Sequence, residues 1–363
     1  MKGEDETKYE QMDVDNGEDS QPNEKSKNKS KKKYIYIILV ACLLIVCFIT
    51  FRFYIQKEKK IILIIGASGS QGGEVLKQLQ KQNKFKLRAL QRKESDFAKK
   101  ARKEGIEIAI GDLYNEESLV KAMKGVYGVF SVLTISMSME ADAEIIQEKN
   151  IVSAAEKNSV QILIHASVAR AGDQKNFVDW DNKERGPFYH EYWNGKSGAN
   201  DVVKQSKIKH WVIFKPAWMM DNFLRGRHKY TLPTLEEGLI ENNFRLDTKL
   251  DLICAMDQGK FVADAFDNIE KYDKKEIDLA SQSLTFTEMA DVLFKVFNKK
   301  IKVVYTEGSE LLKRGVDKAI IDSNEWHVLE GYKVDIEKLK PYGIKLTTFE
   351  EFCNIYKNNF EFS

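Results

Sequence analysis

The segment that most constrains the fold of this chain is residues 61–79, which read IILIIGASGSQGGEVLKQL. Its first five residues are apolar and predict a buried strand, and the spacing of Val75, Leu76 and Leu79 predicts a helix. The glycines at positions 66, 69 and 72 would let the backbone turn tightly and approach a pyrophosphate held by the first N–H groups of that helix. The G-x-x-G-x-x-G spacing departs from the dinucleotide-binding G-x-G-x-x-G fingerprint, so a plain strand–helix corner is the alternative.

The chain after this turn repeats the pattern of an apolar run followed by a helical segment. The apolar runs cover residues 61–65, 85–90, 106–110, 126–133, 160–166 and 210–214. The helical segments between them cover residues 71–82, 96–104, 116–124, 140–158 and 195–206. Strands that alternate with helices predict an α/β fold with a doubly wound, Rossmann-like parallel sheet. The glycine turn falls on its first strand–turn–helix unit, which is where such a sheet binds phosphate.

The first 55 residues differ from the rest of the chain. Residues 1–33 are acidic and then lysine-rich, with few apolar residues, and predict a disordered charged tail. Residues 34–51 are uncharged, and because Arg52 can snorkel, the stretch 34–55 approaches the ~20 residues of a membrane-spanning helix. We therefore predict a single-pass membrane protein anchored in lipid through residues 34–55. A cleaved signal peptide is the alternative, and the side of the membrane that the folded part faces stays open.

Composition narrows the function classes. The formal net charge is only +2, which argues against a nucleic-acid-binding protein. The four cysteines, at positions 42, 47, 254 and 353, have neither metal-ligand spacing nor the pattern of a disulfide framework, and no metal site is predicted.

The end of the second strand indicates which dinucleotide would bind. An NAD site places a carboxylate there for the ribose 2′-hydroxyl, whereas this chain has Gln91, Arg92 and Lys93. Cations without a carboxylate suit a 2′-phosphate, so NADP is predicted over NAD, although a solvated loop has the same composition. Asp112, after the third strand, would either accept a hydrogen bond from the adenine amino group or cap the following turn.

From residue 61 to its end, the chain resembles the NmrA-like family of atypical short-chain dehydrogenase/reductases. The resemblance is carried, in order, by IIGASGSQGG, LRALQR, IAIGDLYNEESLVKAMKGVYGVFSVL, FKPAWMMDNF, MDQGKFVADAF, IDLASQSLTFTEMA and GYKVDI. It implies a nucleotide-binding domain over residues 56–215 and a smaller α+β region over 216–363 that closes over the substrate and partly returns to the main sheet. It does not extend to residues 1–60.

The resemblance also implies roles for individual residues. The candidate cofactor-binding residues are Gly66, Ser68, Gly69, Ser70, Gln71, Gly72, Arg92, Asp112 and Lys196. Lys196 would bind the nicotinamide ribose. Trp218, Met219 and Asn222 would line the substrate pocket, although a methionine and aromatic cluster is also common in a plain core.

Short-chain reductases use a serine, a tyrosine and a lysine, and this chain has Ser167, Tyr192 and Lys196 in that order. The spacing of four places Tyr192 and Lys196 on one helical face, where the lysine charge would lower the pKa of the phenol. Tyr192 is equally compatible with a packing or substrate-shaping role, and Ser167 with satisfying a strand-end backbone group. A Tyr-x-x-x-Lys match is also expected by chance.

Two functions follow from the resemblance. The first is an NADP-dependent oxidoreductase that passes hydride from NADPH to a small carbonyl or quinone-like acceptor. The second is a non-catalytic NADP(H) sensor or regulator that acts through a protein partner.

Overall fold

The structure is a computed structural model that describes residues 35–47, 59–133, 142–178, 180–182 and 185–362. The chain divides into two compact units, Met1–Glu58 and Lys59–Ser363. The described part of the first unit is a helix, α1, at residues 35–47. A bilayer crossing requires an apolar helix of ~20 residues. No helix within the described ranges is both long enough and apolar enough for this. This finding contradicts the prediction of a single-pass membrane protein with a lipid-embedded helix over 34–55, and that prediction is wrong.

Several positions of the N-terminal predictions lie outside the described residues. These are the predicted disordered tail at residues 1–33, and position 34 with residues 48–55 at the two ends of the predicted span.

The second unit contains twelve strands. They are β1 (Ile61–Ile64), β2 (Lys86–Gln91), β3 (Glu107–Ile110), β4 (Val126–Val132), β5 (Ile162–Ala166), β6 (His210–Pro216), β7 (Trp218–Met219), β8 (Leu239–Asn242), β9 (Leu250–Ile253), β10 (Lys275–Leu279), β11 (Gln282–Leu284) and β12 (Lys302–Tyr305). The count refers to the described residues.

The α-helices of this unit begin with α2, directly after the glycine turn. They are α2 (Ser70–Gln82), α3 (Asp96–Lys103), α4 (Glu116–Ala122), α5 (Ala143–Lys157), α6 (Pro187–Gln205), α7 (His228–Thr231), α8 (Ala255–Asp267), α9 (Phe286–Phe297), α10 (Gly308–Lys313), α11 (Lys318–Leu329) and α12 (Phe349–Ile355).

The main sheet has seven strands in the order β10-β6-β5-β4-β1-β2-β3. All of its described neighbours pair in parallel. The strand order reverses between β1 and β4, which leaves a crevice at the carboxyl ends of these two strands. The prediction of a doubly wound Rossmann-like sheet is confirmed, and the turn after β1 opens at this crevice.

Two apolar cores cover the two faces of the sheet. Ile62 and Ile64 of β1 point to one face and pack with Val75 and Leu79 of α2 and with α8. Leu63 of β1 points to the other face, into the core formed with α4, α5 and α6. The alternation follows from the two-residue period of a strand, and burial on both faces explains why β1 reads as a continuous apolar run.

The C-terminal part of the chain builds two small sheets, β11-β9-β7 and β12-β8, around a third core. Trp218, Phe223 and Phe286 lie in this core together with residues of α12. Thr285 caps α9 by a reciprocal pair of hydrogen bonds with Glu288, which fixes where that helix begins. The same part of the chain also supplies α8 and β10 to the main sheet.

Candidate active site

The turn between β1 and α2 is held by contacts that only glycine permits. Gly66 has a φ of 73°, and a Cβ on it would lie 2.5 Å from Val132 Cγ1. A Cβ on Gly72 would lie 2.3 Å from the carbonyl oxygen of Gly66. The Gly69 N–H donates to that same oxygen at 2.8 Å. Both outer glycines are therefore required for the tight return of the chain into the helix.

The N-terminus of α2 suits an anion. Gly69 is the N-cap and provides no side chain to accept from the first N–H groups, and the first turn has no acidic residue. These N–H groups and the positive end of the helix dipole together form a phosphate-binding arrangement. The Ser70 hydroxyl already has a partner within the protein, because it donates to Asp221 Oδ1 at 2.7 Å.

Asp221 connects the start of α2 to the start of α8. Its other carboxylate oxygen, Oδ2, accepts from the Ala255 N–H at 2.9 Å. Burial raises the pKa of Asp221, while the bonds from Ser70 and Ala255 act in the opposite direction. A cavity of about 460 Å³ lies beside the start of α2, and its lining includes Ser68, Gly69 and Ser70.

Arg92 and Asp112 follow the neighbouring strands β2 and β3, at the carboxyl ends of these strands. Gln91, the last residue of β2, pairs with Ile110 of β3, so the residues that follow leave the sheet at the same edge. Both Arg92 and Asp112 are exposed. Asp112 Oδ1 accepts from the Tyr114 N–H at 3.0 Å, which gives it a turn-capping role in this structure.

A cavity of about 370 Å³ opens at the carboxyl ends of β4, β5 and β6. Its described lining includes seven of the residues predicted from the sequence, namely Gln71, Ser167, Tyr192, Lys196, Trp218, Met219 and Asn222. The candidate catalytic residues and the candidate substrate residues therefore meet in one cavity, which also reaches the glycine turn through Gln71.

Lys196 is bound to a carboxylate that the sequence did not indicate. Its Nζ lies 2.6 Å from Glu144 Oε1, and the two side chains are 10% and 9% exposed. Glu144 stands in the first turn of α5, and Lys196 stands on α6. The ammonium group also lies 5.7 Å from the centre of the Tyr192 ring.

The surroundings of Tyr192 reverse the expected effect on its pKa. Burial and the negative charge of Glu144 raise the pKa of the Tyr192 phenol, whereas the sequence led us to expect a lowered pKa. Burial of the phenol is the larger cause, and Glu144, which pairs with Lys196, adds its negative charge nearby. Across the described residues, the buried Ser167 Oγ and Gln71 Oε1 have no hydrogen-bond partner.

Much of the cavity wall is aromatic and was not predicted. The additional lining residues include Tyr189, Trp193, Tyr230, Trp326, His327 and Tyr332. The rings of Trp193 and Trp326 are 4.6 Å apart, and those of Trp326 and Tyr332 are 5.2 Å apart. The density of aromatic residues at 189–193 and again at 326–332 is the only sequence signal that could have suggested this wall.

The doubly wound sheet, with a glycine turn at its switch point and a cavity beside it, defines a Rossmann-like α/β protein. The model of the NmrA-like family matches residues 58–353, and the chain therefore belongs to the NmrA-like family.

Three known proteins are similar to this chain, one in sequence and two in fold. The chain is 28% identical over 258 residues to the "NmrA-like family domain-containing oxidoreductase notA'" of Aspergillus versicolor, covering 64% of this chain and 68% of that protein. It resembles the triphenylmethane reductase of Citrobacter sp. complexed with NADP(H), with a TM-score of 0.65, 21% identity, and coverage of 82% and 99%. It also resembles the NADPH-dependent quinone oxidoreductase of Escherichia coli complexed with NADPH, with a TM-score of 0.64, 20% identity, and coverage of 82% and 100%.

Proposed function

We propose that this protein is an NADP(H)-dependent oxidoreductase that reduces a small carbonyl or quinone-like acceptor in the cavity of about 370 Å³. The observation that carries the proposal is the meeting of Ser167, Tyr192 and Lys196 in a cavity that Gln71 joins to the glycine turn. The oxidoreductase name of the Aspergillus relative and the two reductases of similar fold support it.

The residues of the turn fit a dinucleotide. Gly66 and Gly72 keep the backbone close, and the uncapped N–H groups at the start of α2 would bind the pyrophosphate. Arg92, exposed beyond β2, would pair with a 2′-phosphate, which favours NADP over NAD. The two structural neighbours that hold NADP(H) and NADPH support the same choice.

When bound, NADPH supplies a hydride, and a proton must reach the oxygen of the acceptor. Tyr192 lines the cavity and would donate this proton, because a phenol is protonated at neutral pH. Ser167 follows β5 and lines the same cavity, and its hydroxyl would turn towards the acceptor oxygen to hold it. Lys196, held in place by Glu144, would bind the ribose hydroxyls.

The cofactor assignment can be tested on the purified full chain by fluorescence titration with NADPH and NADH. We expect NADPH to bind more tightly, and Arg92→Ala to reduce the NADPH/NADH affinity ratio by about tenfold, because a charge-assisted phosphate contact is lost. Lys124→Ala is the matched control, since it removes an exposed cation just before the amino end of β4, whereas Arg92 lies at the carboxyl end of β2. Absence of NADPH binding, or an unchanged ratio in Arg92→Ala, would contradict the proposal.

The raised pKa of Tyr192 also favours a second function, that of an NADP(H) sensor which binds the cofactor without turnover. NADPH oxidation with a panel of quinones and aldehydes separates the two. Turnover that drops in Tyr192→Phe and Lys196→Met supports the reductase. Tight NADPH binding without oxidation by any acceptor supports the sensor.

A further inference from the structure

A histidine and two glutamates from three separate segments of the chain meet at one place. His228 begins α7, Glu236 lies in a short 3₁₀ helix before β8, and Glu361 lies near the end of the chain. One nitrogen or oxygen atom of each side chain lies within 4.8 Å of the corresponding atoms of the other two. We propose that His228, Glu236 and Glu361 bind a divalent metal ion of the zinc type. The inference is independent of the proposed reductase activity.

The histidine of this cluster has both ring nitrogens close to oxygen acceptors. Its side chain is 0% exposed, and His228 Nδ1 lies 3.2 Å from the carbonyl oxygen of Leu224. His228 Nε2 lies 2.8 Å from Glu236 Oε1. A neutral imidazole has one N–H, so it can donate to only one of these oxygens.

A metal ion at Nε2 resolves this conflict. The proton then stays on Nδ1 and is donated to the Leu224 carbonyl, and a bond of this kind to a backbone carbonyl orients most metal-binding histidines. A second proton on the His228 ring would also satisfy both oxygens, but it places a positive charge on a fully buried side chain. The buried imidazolium is therefore the alternative that the experiment has to exclude.

The two carboxylates have the charge and the freedom of movement that metal ligands need. The side chains of Glu236 and Glu361 are each 35% exposed, so both can adjust their positions. The ligand atoms of a tetrahedral zinc ion lie roughly 3.4 Å apart, which small side-chain movements within the cluster would reach. Two carboxylates balance the charge of the ion, and water would take the fourth position. Magnesium and calcium ions prefer an all-oxygen set, which the imidazole excludes.

Two cationic side chains already lie beside these carboxylates. Lys229 Nζ is 3.3 Å from Glu236 Oε1, and Arg225 Nε is 3.8 Å from Glu361 Oε2. The lysine and arginine side chains are 63% and 65% exposed, so water screens both pairs. A divalent ion in direct contact with the carboxylates would displace both cations into solvent.

A bound ion would join the C-terminal tail to a wall of the candidate active site. The Arg225 N–H donates to the carbonyl oxygen of Asn359 at 2.7 Å, so the two segments already lie side by side. Helix α7 also contains Tyr230 and Thr231, which line the cavity of about 370 Å³. An ion held by both segments would stabilise the folded chain, because the separated ligands of an unfolded chain bind it more weakly.

The test is calorimetric titration of the full chain with Zn²⁺, without an affinity tag and after treatment with a chelator. We expect a binding event that Glu236→Gln and Glu361→Gln each weaken by about tenfold or more, since even an outer-shell partner of a metal contributes about that much. Glutamine keeps an oxygen that can accept the His228 hydrogen bond and removes the negative charge. Zn²⁺ should also raise the Tm of the wild-type protein more than that of either variant.

Glu237→Gln is the matched control, because Glu237 is exposed in the same 3₁₀ helix and lies outside the cluster. Its Kd for Zn²⁺ should equal the wild-type value. His228→Ala should also weaken binding; should this buried position prevent folding, the two glutamine variants at partly exposed positions still decide the question.

The alternative gives a different result. If His228 is an imidazolium paired with Glu236, Glu361→Gln leaves the affinity for Zn²⁺ as it is. The site is overturned if the wild-type protein does not bind Zn²⁺, or if the Kd values of Glu236→Gln and Glu361→Gln stay within about twofold of that of Glu237→Gln. Because neither NADPH nor an acceptor is present, failure of the proposed reductase activity would leave this outcome unaffected.

Discussion

The buried pair of Glu144 and Lys196 gives the sharpest test of how this site is built. The atoms Lys196 Nζ and Glu144 Oε1 are 2.6 Å apart, and each side chain is about nine-tenths buried. Changing Glu144 to Gln leaves the ammonium group in a poorly solvated place without its counter-charge. We expect Glu144→Gln to lower the free energy of unfolding by about 3 kcal/mol, the lower end of the cost of breaking a buried ion pair.

The converse change has a similar cost. Lys196→Met leaves the Glu144 carboxylate buried without its cation and should also lower the free energy of unfolding by about 3 kcal/mol. The double variant contains neither charge, so neither desolvation penalty remains uncompensated. Its loss should therefore be smaller than the sum of the single losses by about 3 kcal/mol.

Urea denaturation followed by circular dichroism measures this cycle. The exposed pair of Lys121 and Glu117 is the matched control, with its charged atoms 2.8 Å apart and side chains 73% and 80% exposed. The same substitutions there should give a much smaller coupling energy, because water screens the pair. The reasoning is refuted if the Glu144 and Lys196 losses add within about 0.5 kcal/mol, since burial would then give this pair no special role.

Two further predictions concern the glycine turn and the buried His327. Gly72→Ala should lower the free energy of unfolding by about 1–3 kcal/mol and weaken NADPH binding, because its Cβ would lie 2.3 Å from the Gly66 oxygen. Gly73→Ala, whose Cβ would lie 3.3 Å from the Ala67 oxygen, is the control, and equal losses in urea denaturation would contradict this. His327 has a pKa of about 3 when folded, so between its unfolded value of about 6.5 and that value only the unfolded chain takes up the proton. The free energy of unfolding should therefore decrease as the pH is lowered through this range, by up to about 1.4 kcal/mol per pH unit. The urea midpoint of His327→Phe should decrease less steeply over the same range.

The sheet could be predicted from the sequence because its signals are local. Each strand of the doubly wound sheet is a short apolar run, and each is followed within a few residues by a helical spacing. The requirement for Gly72 is local as well, because the atoms that exclude a Cβ there belong to the backbone of Gly66 and Ala67, whereas a Cβ at Gly66 is excluded by Val132 of β4. A pattern of adjacent residues can therefore specify the turn.

The membrane prediction failed because it rested on apolar composition. An apolar run of residues is consistent with a spanning helix, but a crossing also requires an unbroken helix of ~20 residues. Among the described residues, no helix meets this requirement.

The surroundings of Tyr192 could not be read from the sequence for a different reason. Glu144 lies 52 residues from Lys196 and reaches it only because α5 and α6 pack side by side. The aromatic wall is as distant, since Trp326 approaches Trp193 from α11. No spacing rule connects such positions, and the tertiary packing of these helices alone brings them together.

The sequence leaves two questions about the site open, namely the pKa of Tyr192 and the choice between a reductase and a sensor. Both depend on what surrounds the phenol. The sequence placed Lys196 beside Tyr192 by helical spacing, and that neighbourhood alone would lower the pKa of the phenol. Burial and the negative charge of Glu144, which reaches Lys196 from another helix, raise that pKa instead. A raised pKa makes the Tyr192 phenol a weaker acid and therefore a less effective proton donor in the proposed reduction. The Tyr-x-x-x-Lys motif contains neither the burial nor the carboxylate, so the motif cannot by itself separate a reductase from a sensor.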